Sequence, residues 1–469
     1  MNYSVALTAP LHAAAQRHLL RTDGQEDLCF GLWKPSSGSG RRTAILGELL
    51  PPRKGERVVH GNAAFLPPYL ERAIGSARRA SSGVCFMHSH PGPGWQSMSD
   101  DDVRAERDNA GAIGAATGLP LVGLTLGTDG AWSGRFWIRS APRTYTRHWC
   151  ESVRVVGDWL EITRPPGVGK PPPRPEQERS VAAWGPCVQD RLAHLRVGVI
   201  GCGSVGSVVA ESLARVGVGH ILLMDFDLLA PVNLDRTLHA YSEDCGRPKA
   251  EILALAVRRS ATVSTPDITP SQWSIGEEAG LRVALDCDVL FSCVDRPWAR
   301  SVLNHIALSH LIPVVDGGIA LEQWTGHDGI LRADWRAHTV TPTRRCMECL
   351  GQYDPGDVQA DREGWFEDPG YVRNLPEDHP IKRNENVFPF TTSVASLEVL
   401  QFLALVVPMP GRRHHGAQSF HYVPGVLDKD VGPCKDSCFP HKLLGQGDRT
   451  GLVVTARHPS AERARASHP

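Results

Sequence analysis

The sequence has almost no net charge of either sign. Its 50 lysines and arginines face 51 aspartates and glutamates over 469 residues, for a formal charge of −1. Nothing in that balance draws the chain to nucleic acid or to an anionic membrane. It also lacks a long apolar run. The longest, around Phe402–Val407, is far short of the roughly 20 residues that span a bilayer. The first residues lack a basic start followed by an apolar core, so no signal peptide is read. Internal repeats are absent as well. The expectation is a cytoplasmic protein with no nucleic-acid and no membrane partner. A disulfide framework is lacking too, because the 12 cysteines are too few and too scattered for one. Cys29, Cys85, Cys202 and Cys293 sit singly in apolar surroundings, as buried reduced thiols do. Four others are paired, Cys346 with Cys349 as CxxC and Cys434 with Cys438 as CxxxC, which points to metal before disulfide.

The length allows two or three domains. The clearest boundary is RPPGVGKPPPRPEQE, Arg164 to Glu178, whose prolines favour an extended spacer reaching on the order of 45 Å at about 3.1 Å per residue. Before it, LCFGLW (Leu28–Trp33), RTAILGELL (Arg42–Leu50) and GVCFMH (Gly83–His88) read as strands. Leu11–Leu20 and Asp100–Ala110 read as helices. The fold class expected for residues 1–163 is therefore mixed α/β. After the spacer, RVGVIGCGSVGSVVAESLARVGVGHILLMDFD is strand, glycine turn, helix, strand, the start of a Rossmann-like doubly wound parallel sheet. DVLFSCVD (Asp288–Asp295) and IPVVDGGI (Ile312–Ile319) read as later strands of one domain over 179–445. Residues 351–386 are polar and Pro/Gly-rich and read as a long mobile loop. Residues 446–469 read as a disordered tail.

The stretch CFMHSHPGPGWQSMSDDD, Cys85 to Asp102, places His88 and His90 two apart after an apolar strand. At that spacing both imidazoles lie on one face and can share a cation. The Pro-Gly-Pro-Gly turn can bring back an aspartate as a third ligand, and zinc with three protein ligands keeps a position for water. This pattern resembles the JAMM motif of JAB/MPN-family metallopeptidases: a strand glutamate, His-x-His-Pro, then Ser-x-x-Asp. The resemblance implies a catalytic Zn²⁺ on His88, His90 and Asp102, with Glu26 as general base and then proton donor, and Ser99 at the oxyanion. Glu48 is the alternative glutamate. Ser97 with Asp100 also satisfies Ser-x-x-Asp, so the aspartate stays open at this point. The family cleaves after the C-terminal glycine of ubiquitin-like proteins.

Gly201-Cys-Gly203-Ser-Val-Gly206 follows a strand and opens a helix, whose N-terminus offers amides and a positive dipole end to phosphate. Asp225 ends the next strand, placed for ribose hydroxyls. Alone, this reads as an NAD site. Asn233, Arg236 and Lys249 follow, however, and fixed cations there suit a triphosphate. Asp295 lies at a strand's carboxyl end and can hold Mg²⁺. The stretches GCGSVGS, DFDLLAPVNLDR, GRPKAE and SCVDRPWARSVLN resemble the ThiF/MoeB-type adenylyltransferases, the core shared with ubiquitin-activating enzymes. The resemblance covers about residues 178–440. It implies ATP against Gly201, Gly203 and Gly206, ribose on Asp225, phosphates on Arg236 and Lys249, and metal and α-phosphate positioned by Asp295. It further implies a homodimer with Arg179 donated across it, and a structural Zn²⁺ on Cys346, Cys349, Cys434 and Cys438. No cysteine lies between Leu350 and Pro433, where a thioester-forming nucleophile is commonly found. Cys245 is the one outside candidate.

Together the two resemblances imply a protein like the bacterial JAB–ThiF fusions. Its partner would be a ubiquitin-like β-grasp protein, with a conjugating enzyme or sulfur acceptor downstream. The alternative is an adenylyltransferase for a small peptide or metabolite, with a first domain that trims peptides or only docks partners.

Overall fold

The computed structural model describes residues 1–60, 62–167, 174–324, 326–377, 379–382, 385–411, 414–451 and 454–468. Two compact units are present. The first comprises Met1–Gly169 with Ser309–Leu311 and Leu444–Gly451, and the second the remainder. Residues 168–173 of the Pro-rich spacer lie outside the described residues.

The first unit carries β1 (Asn2–Thr8), α1 (Ala9–Leu19), β2 (Leu28–Ser37), β3 (Arg41–Leu50), β4 (Arg57–His60), β5 (Asn62–Phe65), α2 (Pro67–Arg79), β6 (Gly83–Ser89), α3 (Asp100–Thr117), β7 (Leu121–Leu126), β8 (Trp132–Ala141), β9 (Thr144–Trp149), β10 (Ser152–Val156) and β11 (Leu160–Thr163). Nine strands form one sheet in the order β11-β10-β1-β3-β2-β6-β7-β8-β9. Alternation along β6 sorts its side chains. Cys85 and Met87 join the core that includes Ala15 and Leu19 of α1. Val84 and Phe86 join the core with Tyr69 of α2 and Ile113 of α3. By the same period of two, His88 faces the side of α2 and α3.

The second unit begins with α4 (Glu178–Trp184) and α5 (Pro186–Ala193). It continues with β12 (Arg196–Ile200), α6 (Ser204–Arg215), β13 (His220–Met224), α7 (Lys249–Ser260), β14 (Asp267–Ser271), α8 (Glu278–Ala284), β15 (Val289–Ser292), α9 (Pro297–Ser309), β16 (Val314–Gln323) and β17 (Ile330–Val340). Then come α10 (Pro355–Arg362), α11 (Pro369–Asn374), α12 (Phe388–Val406), β18 (Ala417–His421), β19 (Val426–Asp430), α13 (Phe439–Lys442) and α14 (Pro459–Ser467). The sheet order is β14-β13-β12-β15-β16-β17-β18-β19. Pairing is parallel from β14 to β16 and antiparallel from β16 to β19. The chain leaves β12 toward β14, then returns to β15 on the other side. The reversal leaves a crevice at the carboxyl ends of β12 and β15, where open α/β sheets bind ligands. Among the described residues α12 alone is long and apolar enough to cross a membrane, and half of that stretch is buried. It packs on α6, β16 and β17.

Two expectations need correction. Residues 351–386 are not one long loop but carry α10 and α11. The acidic and proline residues that read as loop are helix starts: Asp354 and Asp368 cap, and Pro355 and Pro369 take the first turn. Residues 446–469 are not a disordered tail throughout. Leu444–Gly451 belongs to the first unit, and α14 forms with His458 as its N-cap.

Candidate functional site

In the first unit the strand β6 and the helix α3 converge. His88 Nε2 lies 3.4 Å from Asp102 Oδ1, and His90 Nε2 lies 3.2 Å from Asp102 Oδ2. The two imidazole nitrogens are 3.2 Å apart. A tetrahedral zinc with bonds of about 2.0–2.1 Å has ligand atoms about 3.3 Å apart. The three side chains therefore fit one ion. Asp100 and Asp101 are exposed, so the helix gathers Asp102 alone to the histidines. Ser99 caps α3: its hydroxyl accepts from the Asp102 amide at 3.2 Å, and its own amide donates to Asp102 Oδ2 at 2.8 Å. Burial pushes the Asp102 carboxyl up, but His88 and His90 outweigh it and hold the group well below the carboxylate range.

The glutamates separate by register. Leu28 pairs with His88, and the Ser89 amide donates to the Asp27 carbonyl at 3.0 Å. The ladder ends there; continued by one more step, its register sets Glu26 opposite His90. Asp27 anchors it, being 1 % exposed and paired with Arg57 and, at 3.5 Å, Arg21. Glu48 is exposed and pairs with Leu32, whose partner on β6 is Val84. Four residues of strand, about 13 Å, separate it from His88.

A buried pair that no motif announces locks this geometry. Glu106, one turn past Asp102, receives Arg135 through two nitrogens, Nε at 2.9 Å, and Trp137 Nε1 at 2.6 Å. Arg135 also donates to Thr125 at 2.6 Å, and Thr125 Oγ1 is 3.4 Å from His88 Nε2.

In the second unit the glycine turn lies at the β12/β15 crevice. Gly201 has φ +95°, and a side chain there would overlap the Cys293 carbonyl. One at Gly206 would overlap the Gly201 carbonyl. Only Gly203 has open space at that position. Two of the three glycines thus serve chain packing, and Gly203 borders the space at the N-terminus of α6. Asp225 is tied into the turn, accepting from the Cys202 amide at 2.7 Å and the Asp227 amide at 2.8 Å. Lys249 opens α7 and pairs with Asp227 at 2.9 Å. Burial pulls Lys249 down, but Asp225, Asp227 and Asp295 together raise it, so it stays a cation. Asp295 is exposed, just past β15.

Asn233 shapes the intervening turn, its Oδ1 accepting from the Ala230 amide at 3.0 Å. Arg236 donates to the Val232 carbonyl at 2.6 Å and pairs with Asp235 at 2.9 Å. Arg179 is exposed on α4 and, among the described residues, makes no hydrogen bond or ion pair with the glycine turn. Asp361 was not visible in the sequence pattern. It comes from α10, accepts from the Trp298 amide at 3.1 Å, and feels the charge of Asp295.

Beside the turn lies a buried charged cluster. Asp316 is fully buried and receives Ser292 at 2.7 Å, Arg336 at 2.6 Å and Arg300 at 3.4 Å. Burial raises its carboxyl, yet the two arginines prevail and hold it near about 2. Glu398 of α12 faces Cys293, and burial pushes it well up.

The four paired cysteines meet: their sulfurs lie within 4.8 Å of one another, with Cys346 and Cys438 at 3.6 Å. Contact with Cys434 pulls Cys346 down to about 5, while the same contact pushes Cys434 up. Four such sulfurs suit a closed tetrahedral zinc site. Cys245 is half-buried and stands outside this group.

Comparison with known proteins follows the same division. The SAMP-activating enzyme E1 of Haloferax volcanii is 31% identical over 168 residues, 35% of this chain and 57% of that protein. The sulfur carrier protein ThiS adenylyltransferase of Bacillus subtilis is 27% identical over 179 residues, 38% of this chain and 50% of that protein. The chain thus spans little more than half the length of these relatives. A solved structure of Escherichia coli MccB with AMPCPP and MccA is 18% identical, covers 58% of this chain and 75% of that one, and has a TM-score of 0.44. The ThiF family model matches residues 176–422, more than half of the sequence, and the chain belongs to the ThiF family.

Proposed function

We propose that the chain is a bifunctional enzyme of a ubiquitin-like pathway. Residues 179–445 adenylate the C-terminal glycine of a small β-grasp protein. Residues 1–163, a JAB/MPN-like metallopeptidase, cleave after such a glycine. The observation that carries the reading is the half-buried Lys249 held as a cation by Asp225, Asp227 and Asp295 in the unit that carries the glycine turn. A dinucleotide needs no such fixed cation, whereas a triphosphate under attack does. The names of the two relatives, one activating SAMP and one adenylating ThiS, support a small carrier protein as substrate.

In the adenylation step the substrate carboxylate attacks the α-phosphorus of Mg-ATP. A new carboxyl-oxygen-to-phosphorus bond forms, the bond to the β-phosphate bridge breaks, and pyrophosphate leaves with that electron pair. Lys249 and Arg236 hold the phosphates, Asp225 the ribose, and Asp295 would hold Mg²⁺, which would neutralise phosphate charge. For the cleavage step, a zinc on His88, His90 and Asp102 would supply a water ionised near neutral pH. Glu26 takes the proton of the attacking water and passes it to the leaving amine, and Ser99 donates toward the oxyanion. Cleavage frees the carboxylate that adenylation uses. A homodimer that lends Arg179 to the second site completes the proposal.

The deciding experiment is ATP–pyrophosphate exchange by the purified protein with small Gly-ending β-grasp proteins. Exchange that requires one of them supports the reading and names the partner. Exchange with short peptides instead moves the substrate to that class, and none with either sinks the reading.

Metal content gives a second expected result. The wild type should bind about two zinc ions, and His88→Ala and Cys434→Ala about one each. Only the cysteine variant should lose thermal stability, with a midpoint lower by on the order of 10 °C, because a closed site contributes folding free energy. Mass spectrometry of the metal and calorimetry check both.

A pH dependence follows from Asp225, which burial pushes up to about 6. Protonation removes the charged acceptor for the ribose. ATP affinity should therefore be flat above about pH 7 and fall toward pH 5, by at most about tenfold per unit, since one proton is involved. Stability moves the other way: this folded carboxyl holds its proton more tightly than an unfolded aspartate does, so protonation from pH 6 downward favours the fold. Titration calorimetry across pH, with Asp225→Asn flattening the profile, tests it.

A further inference from the structure

We propose that the C-terminal segment 454–468 forms the base-side wall of the nucleotide site, with His458 as its contact residue. The inference rests on the ATP reading above and adds a residue outside every nucleotide motif in the sequence.

The segment is fastened at both ends. The Thr455 amide donates to the Gly276 carbonyl and the Glu278 amide to the Thr455 carbonyl, each at 2.9 Å. On α14, Arg465 reaches Glu277 through two bonds of 2.8 and 3.0 Å and the Gln272 carbonyl at 2.9 Å. Its guanidinium also lies 4.2 Å from the centre of the Trp273 ring. Glu277 is 2 % exposed, so this is a buried two-pronged anchor rather than a surface pair.

Between the anchors His458 is bracketed by two rings. Its centroid is 5.0 Å from Phe226 and 5.3 Å from Trp298, and it lies within 8° of parallel to Trp298. Phe226 stands between Asp225 and Asp227. Trp298 follows Asp295 by three residues. The rings thus come from the two loops that take ribose and α-phosphate. With phosphates at the N-terminus of α6 and ribose on Asp225 at the end of β13, the base extends away from α6 toward β14. The segment docks at Gln272–Glu277, immediately past β14.

The ring chemistry suits a purine. His458 Nδ1 accepts from the Ala461 amide at 3.4 Å, which leaves Nε2–H as a donor. Adenine presents ring nitrogens as acceptors for such a donor.

The test uses the full chain and titrates it with ATP and, separately, with inorganic tripolyphosphate, which has no base. His458→Ala should weaken ATP by about tenfold, the upper part of the range for one lost hydrogen bond, and leave tripolyphosphate unchanged. Arg465→Ala, which loosens the segment without touching nucleotide, should shift ATP in the same direction by less. ATP affinity within twofold of wild type in His458→Ala overturns the proposal. So does tighter ATP binding, which would make the segment a cover, or an equal loss for tripolyphosphate, which would make the effect one of folding. A wild type that binds no ATP removes this inference together with the nucleotide reading; an unchanged variant removes this inference alone.

Discussion

Alanine at Lys249 is expected to lower ATP–pyrophosphate exchange by roughly 10²–10³-fold, the range for deleting one preorganised group that meets developing charge. The side chain is 11 % exposed and lies against Asp227 at 2.9 Å. Burial to that depth by itself disfavours the charged form. Here the carboxylates of Asp225 and Asp227 outweigh burial and keep the ammonium protonated. The cation is therefore in place before a triphosphate arrives, and no solvent reorganises during attack. The same deletion leaves Asp225 and Asp227 facing each other without their counter-charge, so some stability is also lost. Asp295→Ala is the matched control. Its side chain is exposed, so a loss of exchange without a change in melting temperature assigns the effect to chemistry. Exchange in Lys249→Ala within threefold of wild type would sink the role given to this residue.

Glu26→Gln is expected to lower cleavage of a β-grasp fusion by roughly 10²–10⁴-fold, the contribution of a positioned proton carrier. Bound zinc should be unchanged, because the three candidate ligands are His88, His90 and Asp102. Exchange at the second site should be unchanged too. The amide keeps the shape of Glu26 but cannot take a proton. The backbone around it should hold, since Asp27 is gripped by Arg57 and Arg21 and bonded to Ser89. The assay is cleavage rate beside metal content on one preparation. Cleavage that survives the substitution would remove Glu26 from the mechanism. Zinc bound with no cleavage in the wild type would leave the first unit a docking module.

Several features were legible because they are local. His88 and His90 share a face through the period of a strand, and Gly201 needs a positive φ at a strand-to-helix turn. Strands β2, β3 and β6 showed as apolar runs. Cys346 and Cys349 showed as a pair by spacing alone. Local composition also misled. The segment 351–386 is rich in Asp, Pro and Gly, yet Asp354-Pro355 and Asp368-Pro369 are caps and first turns. The tail looked unstructured until Arg465 found Glu277.

The sequence by itself determined the ligand types and the order of motifs, since a strand period, a glycine turn and a cysteine spacing act over a few residues. Tertiary structure alone decided which members of each set meet. Asp102 rather than Asp100 reaches the histidines because α3 is rotated and held by the buried Glu106–Arg135 pair. Strand register sets Glu48 four residues along the sheet from His88, opposite Leu32 and level with Val84. Asp361 and His458 come beside Trp298 from about 65 and 160 residues beyond Asp295, brought there by helix docking and a buried ion pair. Contacts of that separation depend on packing across the whole unit, and no window of sequence contains both partners.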